Sequence, residues 1–180
     1  LHEVNDSLFR EIATRYLMNH YDRERIDNVT YFAQMFFQKI EGEYTSGWVH
    51  CDYSYLHSSI IYLTPDVSLS SGTSIYKPKD SARVGSVIKE YQPFKRRFYK
   101  KEIEREEAEE YRTKNNDQFE KTASFSNVYN RSIGFDGDVW HSADDFNKNE
   151  ERLTLVIFWE SISGPMTNLQ TAKYLPQGCN

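Results

Sequence analysis

The feature that most constrains the fold is a series of short apolar segments, each the length of one β-strand and bounded by turn residues. The clearest is Arg152 to Glu160, in which β-branched and aromatic residues follow one another without interruption. Val29 to Ile40 and Ser58 to Thr64 have the same character. Shorter segments are predicted at 48–53, 73–77, 124–129, 132–135 and 139–142. About eight such segments favour an all-β sandwich or barrel.

Two stretches depart from this β pattern. Residues 5–20 carry apolar side chains at helical spacing behind Asn5 or Asp6, which predicts a capped amphipathic helix packed on a sheet. Residues 80–122 interrupt the strands, and Phe98 to Lys114 is dense in Glu, Lys and Arg, which predicts one solvated helix. We interpret residues 1–180 as a single domain in which 80–122 is a helical insertion or lid.

Composition excludes several classes of protein. The net charge of −5 argues against a nucleic-acid binder, and six glutamates directly follow the basic run 95–101. The sequence contains no run of 18 apolar residues, so neither a membrane-spanning helix nor a membrane partner is expected. The two cysteines, Cys51 and Cys179, form neither a disulfide framework nor a CxxC zinc motif, which favours a cytoplasmic protein.

A histidine and a carboxylate two residues apart indicate part of a metal site. Residues i and i+2 of an extended strand point to the same face, so His50 and Asp52 are expected to project together. His141, on a short predicted strand late in the chain, is the preferred third ligand, and His57 is the alternative. Two imidazoles and one carboxylate leave coordination positions open, as in non-haem Fe(II) oxygenases.

Arg152 stands at the head of the most apolar strand, where a guanidinium is costly unless it meets an anion. One interpretation is an ion pair with Glu150 or Glu151. The other is bidentate binding of a ligand carboxylate. Thr154, at i+2 on the same face, and Tyr62, after the proposed metal pair, could add hydroxyl groups to such a site.

Together these motifs resemble the Fe(II)- and 2-oxoglutarate-dependent dioxygenase superfamily, in its prolyl-4-hydroxylase-like branch. The resemblance spans about residues 44–160, in the family's order. Its motifs are matched by His50-Cys51-Asp52, Ile60-Ile61-Tyr62-Leu63, Ser71-Gly72-Thr73, Asn130-Arg131 through His141, and Arg152 to Trp159. Ser71 replaces the first glycine of the family's Gly-Gly-Thr turn, and the 80–122 insertion is long for the family.

The resemblance implies a double-stranded β-helix, the jelly roll of cupin-like proteins. It also implies that His50, Asp52 and His141 bind Fe(II), while Arg152, with Tyr62 and Thr154, binds 2-oxoglutarate. Tyr44 is a further, poorly matched candidate for cosubstrate contact. The implied activity uses O₂ to hydroxylate an unidentified substrate, a small molecule or a peptide side chain, and releases succinate and CO₂.

Two alternatives stay open at this stage. The first is a non-catalytic jelly roll that binds a metal or a small acid without turnover. The second is a cupin-type enzyme that holds another divalent metal, such as Mn(II) or Zn(II), on the same three ligands.

Overall fold

Two antiparallel sheets and three α-helices form the part of the chain that the computed structural model describes, which is residues 3, 5–18, 28–40, 46–145 and 151–163. The helices are α1 (Asp6–Met18), α2 (Val84–Tyr99) and α3 (Arg105–Asn116). The strands are β1 (Thr30–Ile40), β2 (His57–Tyr62), β3 (Thr73–Pro78), β4 (Phe119–Phe125), β5 (Ser132–Asp136), β6 (Trp140–Ala143) and β7 (Arg152–Ser163). None of the described helices is both long and apolar enough to cross a membrane.

The first sheet has the strand order β1-β7-β2-β5, with the most apolar strand, β7, near its centre. β7 pairs along its length with β1, from Thr30 opposite Ser163 to Ile40 opposite Arg152, and on its other side with β2. This pairing buries β7 in the middle of the sheet. Its continuous apolar sequence is the pattern expected of a strand covered on both faces.

Alternation along the strands gives the first sheet two different faces. One face packs against α1 in the main hydrophobic core, whose members include Ala13, Leu17, Met35, Ile157 and Trp159. The opposite face carries the side chains of Ser58, Ile60, Arg152, Val156 and Phe158, which line a cavity. The second sheet, in the order β4-β3-β6, contributes Thr73, His141 and Ala143 to the same cavity. The cavity therefore lies between the sheets.

The single helix predicted over 98–114 is wrong, because the chain forms two helices there with a break at 100–104. The amides of Lys100 and Lys101 bond back into the last turn of α2, and Lys101 has a φ of 58°. That left-handed conformation ends the helix. The two helices pack through the stacked rings of Phe94 and Tyr111. Charges at helical spacing continue across the break, so they conceal it.

The predicted end of the insertion and the fourth strand also need correction. The helices end at Asn116, and β4 runs from Phe119 to Phe125 instead of from 124 to 129. β4 lies at a sheet edge, and every residue of β4 after Phe119 is exposed. It therefore lacks the apolar alternation by which strands are recognised. The strand predicted at 48–53 is reduced to one bridge at His50, and the remaining strand predictions agree with the structure to within a few residues.

Some expectations lie outside the described residues. These are the last two residues of the helix predicted at 5–20, together with Tyr44, Glu150 and Cys179. The described part of the predicted N-terminal helix is confirmed as α1, in which Asn5 caps the helix by accepting a hydrogen bond from the Leu8 amide at 3.0 Å.

Candidate metal centre

His50, Asp52 and His141 meet at one point between the sheets. One ligand atom from each, an imidazole nitrogen or a carboxylate oxygen, lies within 4.8 Å of the other two. His50 Nε2 is 3.7 Å from Asp52 Oδ1, and His141 Nε2 is 3.5 Å from Asp52 Oδ2. The predicted third ligand, 89 residues after Asp52 in the sequence, is thus confirmed as a neighbour of the first two.

Backbone pairing brings the three side chains together. His50 and His141 form an antiparallel bridge, with amide-to-carbonyl distances of 3.0 and 2.9 Å. Their rings lie 4.4 Å apart as a result. The Asp52 amide donates to the carbonyl of Gly137 at 2.8 Å. The segment around His50 is therefore extended at this point but pairs through one bridge only, in place of the predicted strand.

The hydrogen bonds of both imidazoles leave the same nitrogen available to a metal. His50 Nδ1 is 2.7 Å from the carbonyl of Trp48, and His141 Nδ1 is 2.9 Å from the carbonyl of Val139. A carbonyl can only accept, so Nδ1 carries the proton and Nε2 of each neutral ring keeps its lone pair. Backbone or carboxylate partners of this kind are typical of histidines that ligate metals.

Burial keeps both histidines in the neutral form that can bind a cation. Desolvation lowers the pKa of His50 well below its ordinary value, and the charges of Lys95 and His141 lower it further. Desolvation also lowers the pKa of His141, although the Asp52 carboxylate opposes this effect. A proton consequently competes weakly with a metal ion for these nitrogens.

Ser58 orients the carboxylate, a role that the sequence did not reveal. Its hydroxyl donates to Asp52 Oδ2 at 2.7 Å, and the side chain is 1% exposed. Ser58 and Ser59 both read as ordinary polar residues at the start of a strand. Only the alternation of β2, which directs Ser58 to the cavity and Ser59 to the core, distinguishes their functions.

Arg152 lies buried at the cavity wall, at 3% exposure. Its Nη2 donates to the carbonyl of Gly72 and to Thr73 Oγ1, both at 3.3 Å. The guanidinium carbon is 5.4 Å from the centre of the Tyr62 ring, and the Tyr62 hydroxyl donates to Thr73 Oγ1 at 2.9 Å. Thr73 therefore connects the two predicted residues, and the sequence showed it only as part of the Ser71-Gly72-Thr73 turn.

Glu151 is engaged elsewhere, since its carboxylate forms an ion pair with Lys39 at 2.8 Å. Glu150, the other predicted acidic partner of Arg152, lies outside the described residues. Thr154 is buried on the same face of β7 as Arg152, but its hydroxyl donates to the carbonyl of Gln38 at 3.5 Å. It is not among the described residues that line the cavity.

His57, the alternative ligand, belongs to a different part of the molecule. Its Nε2 is 2.6 Å from the hydroxyl of Tyr16, and its Nδ1 is 3.4 Å from Asp136 Oδ1. His57 thereby joins α1 to the first sheet. Cys51 is not among the described residues that line the cavity, and its thiol donates to the carbonyl of Asp138 at 3.0 Å. Desolvation raises the pKa of this thiol to about 12.

A family profile for a domain of unknown function, DUF6445, matches residues 49–157, which is more than half of the chain. The chain belongs to the DUF6445 family. The matched residues include all three members of the His-Asp-His triad together with Ser58, Thr73 and Arg152. No curated protein matches the chain.

In this DUF6445 domain the triad opens onto a cavity of about 770 Å³. Apolar and aromatic side chains form much of its wall, among them Phe36, Ile60, Trp48, Phe98 and Phe158. Trp140 is not among the described residues that line the cavity, and it packs on Phe119 with ring centres 4.6 Å apart. Trp159 is fully buried in the core.

The helical segment supplies charged residues to the cavity. Lys95, on α2, lies on the cavity wall with the triad, and so does Arg112, on α3. The guanidinium of Arg112 bonds to the carboxylate of Glu109 and to the hydroxyl of Ser46. The sequence places Lys95 in a basic run that is expected to be solvated, and it does not indicate that Lys95 reaches the cavity. A run of charged residues does not show which of its members faces inward.

The same segment also supports the backbone that leads to His50. Asn115 Nδ2 donates to the carbonyl of Val49 at 3.0 Å, and Asn116 accepts from the Val49 amide at 2.8 Å. Asn116 Nδ2 donates to the carbonyl of Gly47 at 2.9 Å. These bonds take the place of a neighbouring strand on residues 47–49. The end of α3 is thus tied directly to the first metal-ligand segment.

Proposed function

We propose that this DUF6445 protein is an Fe(II)- and 2-oxoglutarate-dependent dioxygenase that hydroxylates its substrate and releases succinate and CO₂. The observation that carries the proposal is the convergence of two imidazole Nε2 atoms and one carboxylate in the same cavity that Arg152 lines. Each half of the arrangement serves one part of the chemistry. The triad suits a divalent iron, and the guanidinium suits a dicarboxylic cosubstrate.

The donor set fits Fe(II) in chemistry and in protonation. Both Nε2 atoms carry lone pairs, and the carboxylate is held by the Ser58 hydroxyl. His50, Asp52 and His141 would therefore hold the ion and leave its remaining positions facing the cavity. Fe(II) bound there supplies activation of O₂, coupled to oxidative decarboxylation of 2-oxoglutarate, so that one oxygen atom enters succinate and the other a substrate C–H bond.

Arg152 would bind the carboxylate of 2-oxoglutarate that lies farthest from the metal. A guanidinium offers two parallel donors to a carboxylate, and a buried site makes this pairing strong because water does not compete. Contacts with Gly72, Thr73 and the Tyr62 ring already hold the Arg152 side chain. Little conformational entropy would then be lost when the acid binds. The apolar wall at Ile60 and Val156 would exclude water from the reacting groups.

The strand order supports a double-stranded β-helix. Along the chain, β1, β2, β5 and β7 enter the first sheet, while the His50 segment, β3, β4 and β6 lie with the second. The chain thus passes repeatedly between two facing antiparallel sheets, which is how a jelly roll is wound. The proposed metal site lies between the sheets, at the bridge between the His50 segment and β6.

Anaerobic titration with Fe(II), followed by 2-oxoglutarate, tests the proposal. We expect a weak visible charge-transfer band that requires both additions and that is lost in the His141→Ala variant. In Arg152→Met the band should need at least ~30-fold more 2-oxoglutarate, because removal of one partner of a buried charge pair costs ~2 kcal/mol or more. Absence of the band in the wild-type protein would refute the proposal.

A matched control shows whether the effect of Arg152→Met on 2-oxoglutarate binding comes from this residue or from any loss of positive charge at the cavity. Lys39 also lies at the cavity wall, but it pairs with Glu151 at the surface, where such pairs contribute little. Lys39→Met should leave the 2-oxoglutarate requirement unchanged. Succinate release under air then distinguishes an oxygenase from a module that only binds metal and acid. A band without succinate, at any 2-oxoglutarate concentration, would favour the binding module.

A further inference from the structure

Lys95 is the charged side chain in the cavity whose function the proposed reaction leaves unexplained. It projects from α2, in the helical segment, and lines the cavity together with His50, Asp52 and His141. Its ammonium makes no hydrogen bond or ion pair shorter than 4 Å with any described residue. Two of the other cavity cations are engaged in ion pairs, Lys39 with Glu151 and Arg112 with Glu109, and the third, Arg152, is assigned to the cosubstrate.

The ammonium interacts electrostatically with all three triad residues and is partly removed from water. Desolvation lowers the pKa of Lys95 to about 8, and the carboxylate of Asp52 opposes this effect. Lys95 in turn lowers the pKa of both His50 and His141. The side chain is half-buried and lines the cavity. An uncompensated charge in such a place is costly unless a ligand pairs with it.

Charge balance shows what kind of ligand is missing. A divalent iron with the Asp52 carboxylate leaves one positive charge, and Arg152 adds another. Doubly charged 2-oxoglutarate neutralises both. Lys95 then remains as the unbalanced cation of the loaded cavity, whose wall it shares with the proposed metal ligands. The complementary ligand therefore carries a negative charge of its own, in addition to the two charges of the cosubstrate.

We propose that Lys95 binds a carboxylate of the substrate and thereby positions it over the metal centre. The substrate class is a small acid with an apolar body, because the cavity that Lys95 lines is also lined by Phe98, Trp48 and Phe36. This inference rests on the proposed function, whose cosubstrate supplies the charges counted above. It assigns Lys95 to the substrate and Arg152 to 2-oxoglutarate, so the two cations have separable functions.

Matched ligand pairs test the assignment by binding, without turnover. The probes are N-acetyl amino acids with apolar side chains and the corresponding N-acetyl amino acid amides, which differ only in carrying a carboxylate or a neutral amide. Thermal unfolding is followed for protein loaded with Mn(II) and 2-oxoglutarate. We expect acids, and not amides, to raise the melting temperature. We expect Lys95→Met to weaken acid binding at least ~30-fold and Lys95→Arg to restore part of it.

Lys89 provides the control, because it is an exposed lysine on the same helix. Lys89→Met removes the same charge from α2 and should bind the acids as the wild type does. Succinate release stimulated by the acids should follow the same order among the variants. Equal binding of acids and amides, or no binding of either set, would overturn the inference.

Cosubstrate binding by Lys95→Met distinguishes failure of this inference from failure of the proposed function. The Fe(II)–2-oxoglutarate band should form in Lys95→Met at the same 2-oxoglutarate concentration as in the wild type. A band that is lost only in Lys95→Met would assign Lys95 to the cosubstrate and overturn the inference, while the proposed function would stand. A band that is absent from both proteins would refute the proposed function.

Discussion

Two adjacent serines on β2 offer a direct test of the metal centre. Ser58 donates to Asp52 Oδ2 at 2.7 Å, whereas the Ser59 hydroxyl accepts from Trp159 Nε1 at 3.0 Å in the core. Both side chains are almost fully buried, and both substitutions to alanine remove one hydroxyl. The two substitutions therefore remove the same chemical group from opposite faces of the sheet.

Ser58→Ala should weaken metal binding by ~10–100-fold, the usual cost of losing a partner that holds a ligand in place. A hydrogen bond to a charged group contributes ~1.5–3 kcal/mol, which corresponds to a similar factor. Ser59→Ala should leave metal affinity within about twofold of the wild-type value. Its cost should appear as a ~1–3 kcal/mol loss in the free energy of unfolding, because the indole N–H of Trp159 loses its buried acceptor.

Calorimetric titration with Mn(II) measures the affinity, and urea denaturation of the metal-free proteins measures the stability. The two variants should separate clearly: Ser58→Ala by its dissociation constant and Ser59→Ala by its denaturation midpoint. Equal losses of metal affinity in both variants would show that general loosening of β2, and not the Asp52 contact, controls the site. Unchanged affinity in Ser58→Ala would refute the supporting function of this hydroxyl.

Three further substitutions probe the surroundings of the site. Gly137→Ala should lower Mn(II) affinity in calorimetry, because an added Cβ would lie 2.0 Å from the carbonyl of Tyr55 and displace the ligand segment. Tyr16→Phe should cost ~0.5–1.5 kcal/mol in urea denaturation, through its lost bond to His57, without changing Mn(II) affinity. Asn115→Ala should cost ~1–3 kcal/mol and also weaken Mn(II) binding, since its amide supports the backbone before the first ligand.

Local patterns in the sequence predicted much of the fold. β7 and β1 were evident because long apolar or aromatic runs have few alternatives to a buried strand, and α1 because its apolar stripe follows the helical repeat. The edge strand β4 and the break between α2 and α3 were missed. An exposed edge strand buries little, and a helix that ends in a left-handed residue such as Lys101 carries no compositional signal.

For the candidate site, the sequence by itself determined the chemical types of the ligands and the local pairing of His50 with Asp52, since a two-residue spacing acts within one extended segment. It also indicated His141 and Arg152. Only the tertiary structure decided that these distant residues share one cavity, that Ser58 and Thr73 support them, and that Lys95 faces the triad. Those relations depend on strand register and helix docking, which bring together residues far apart in the chain. No local pattern records them.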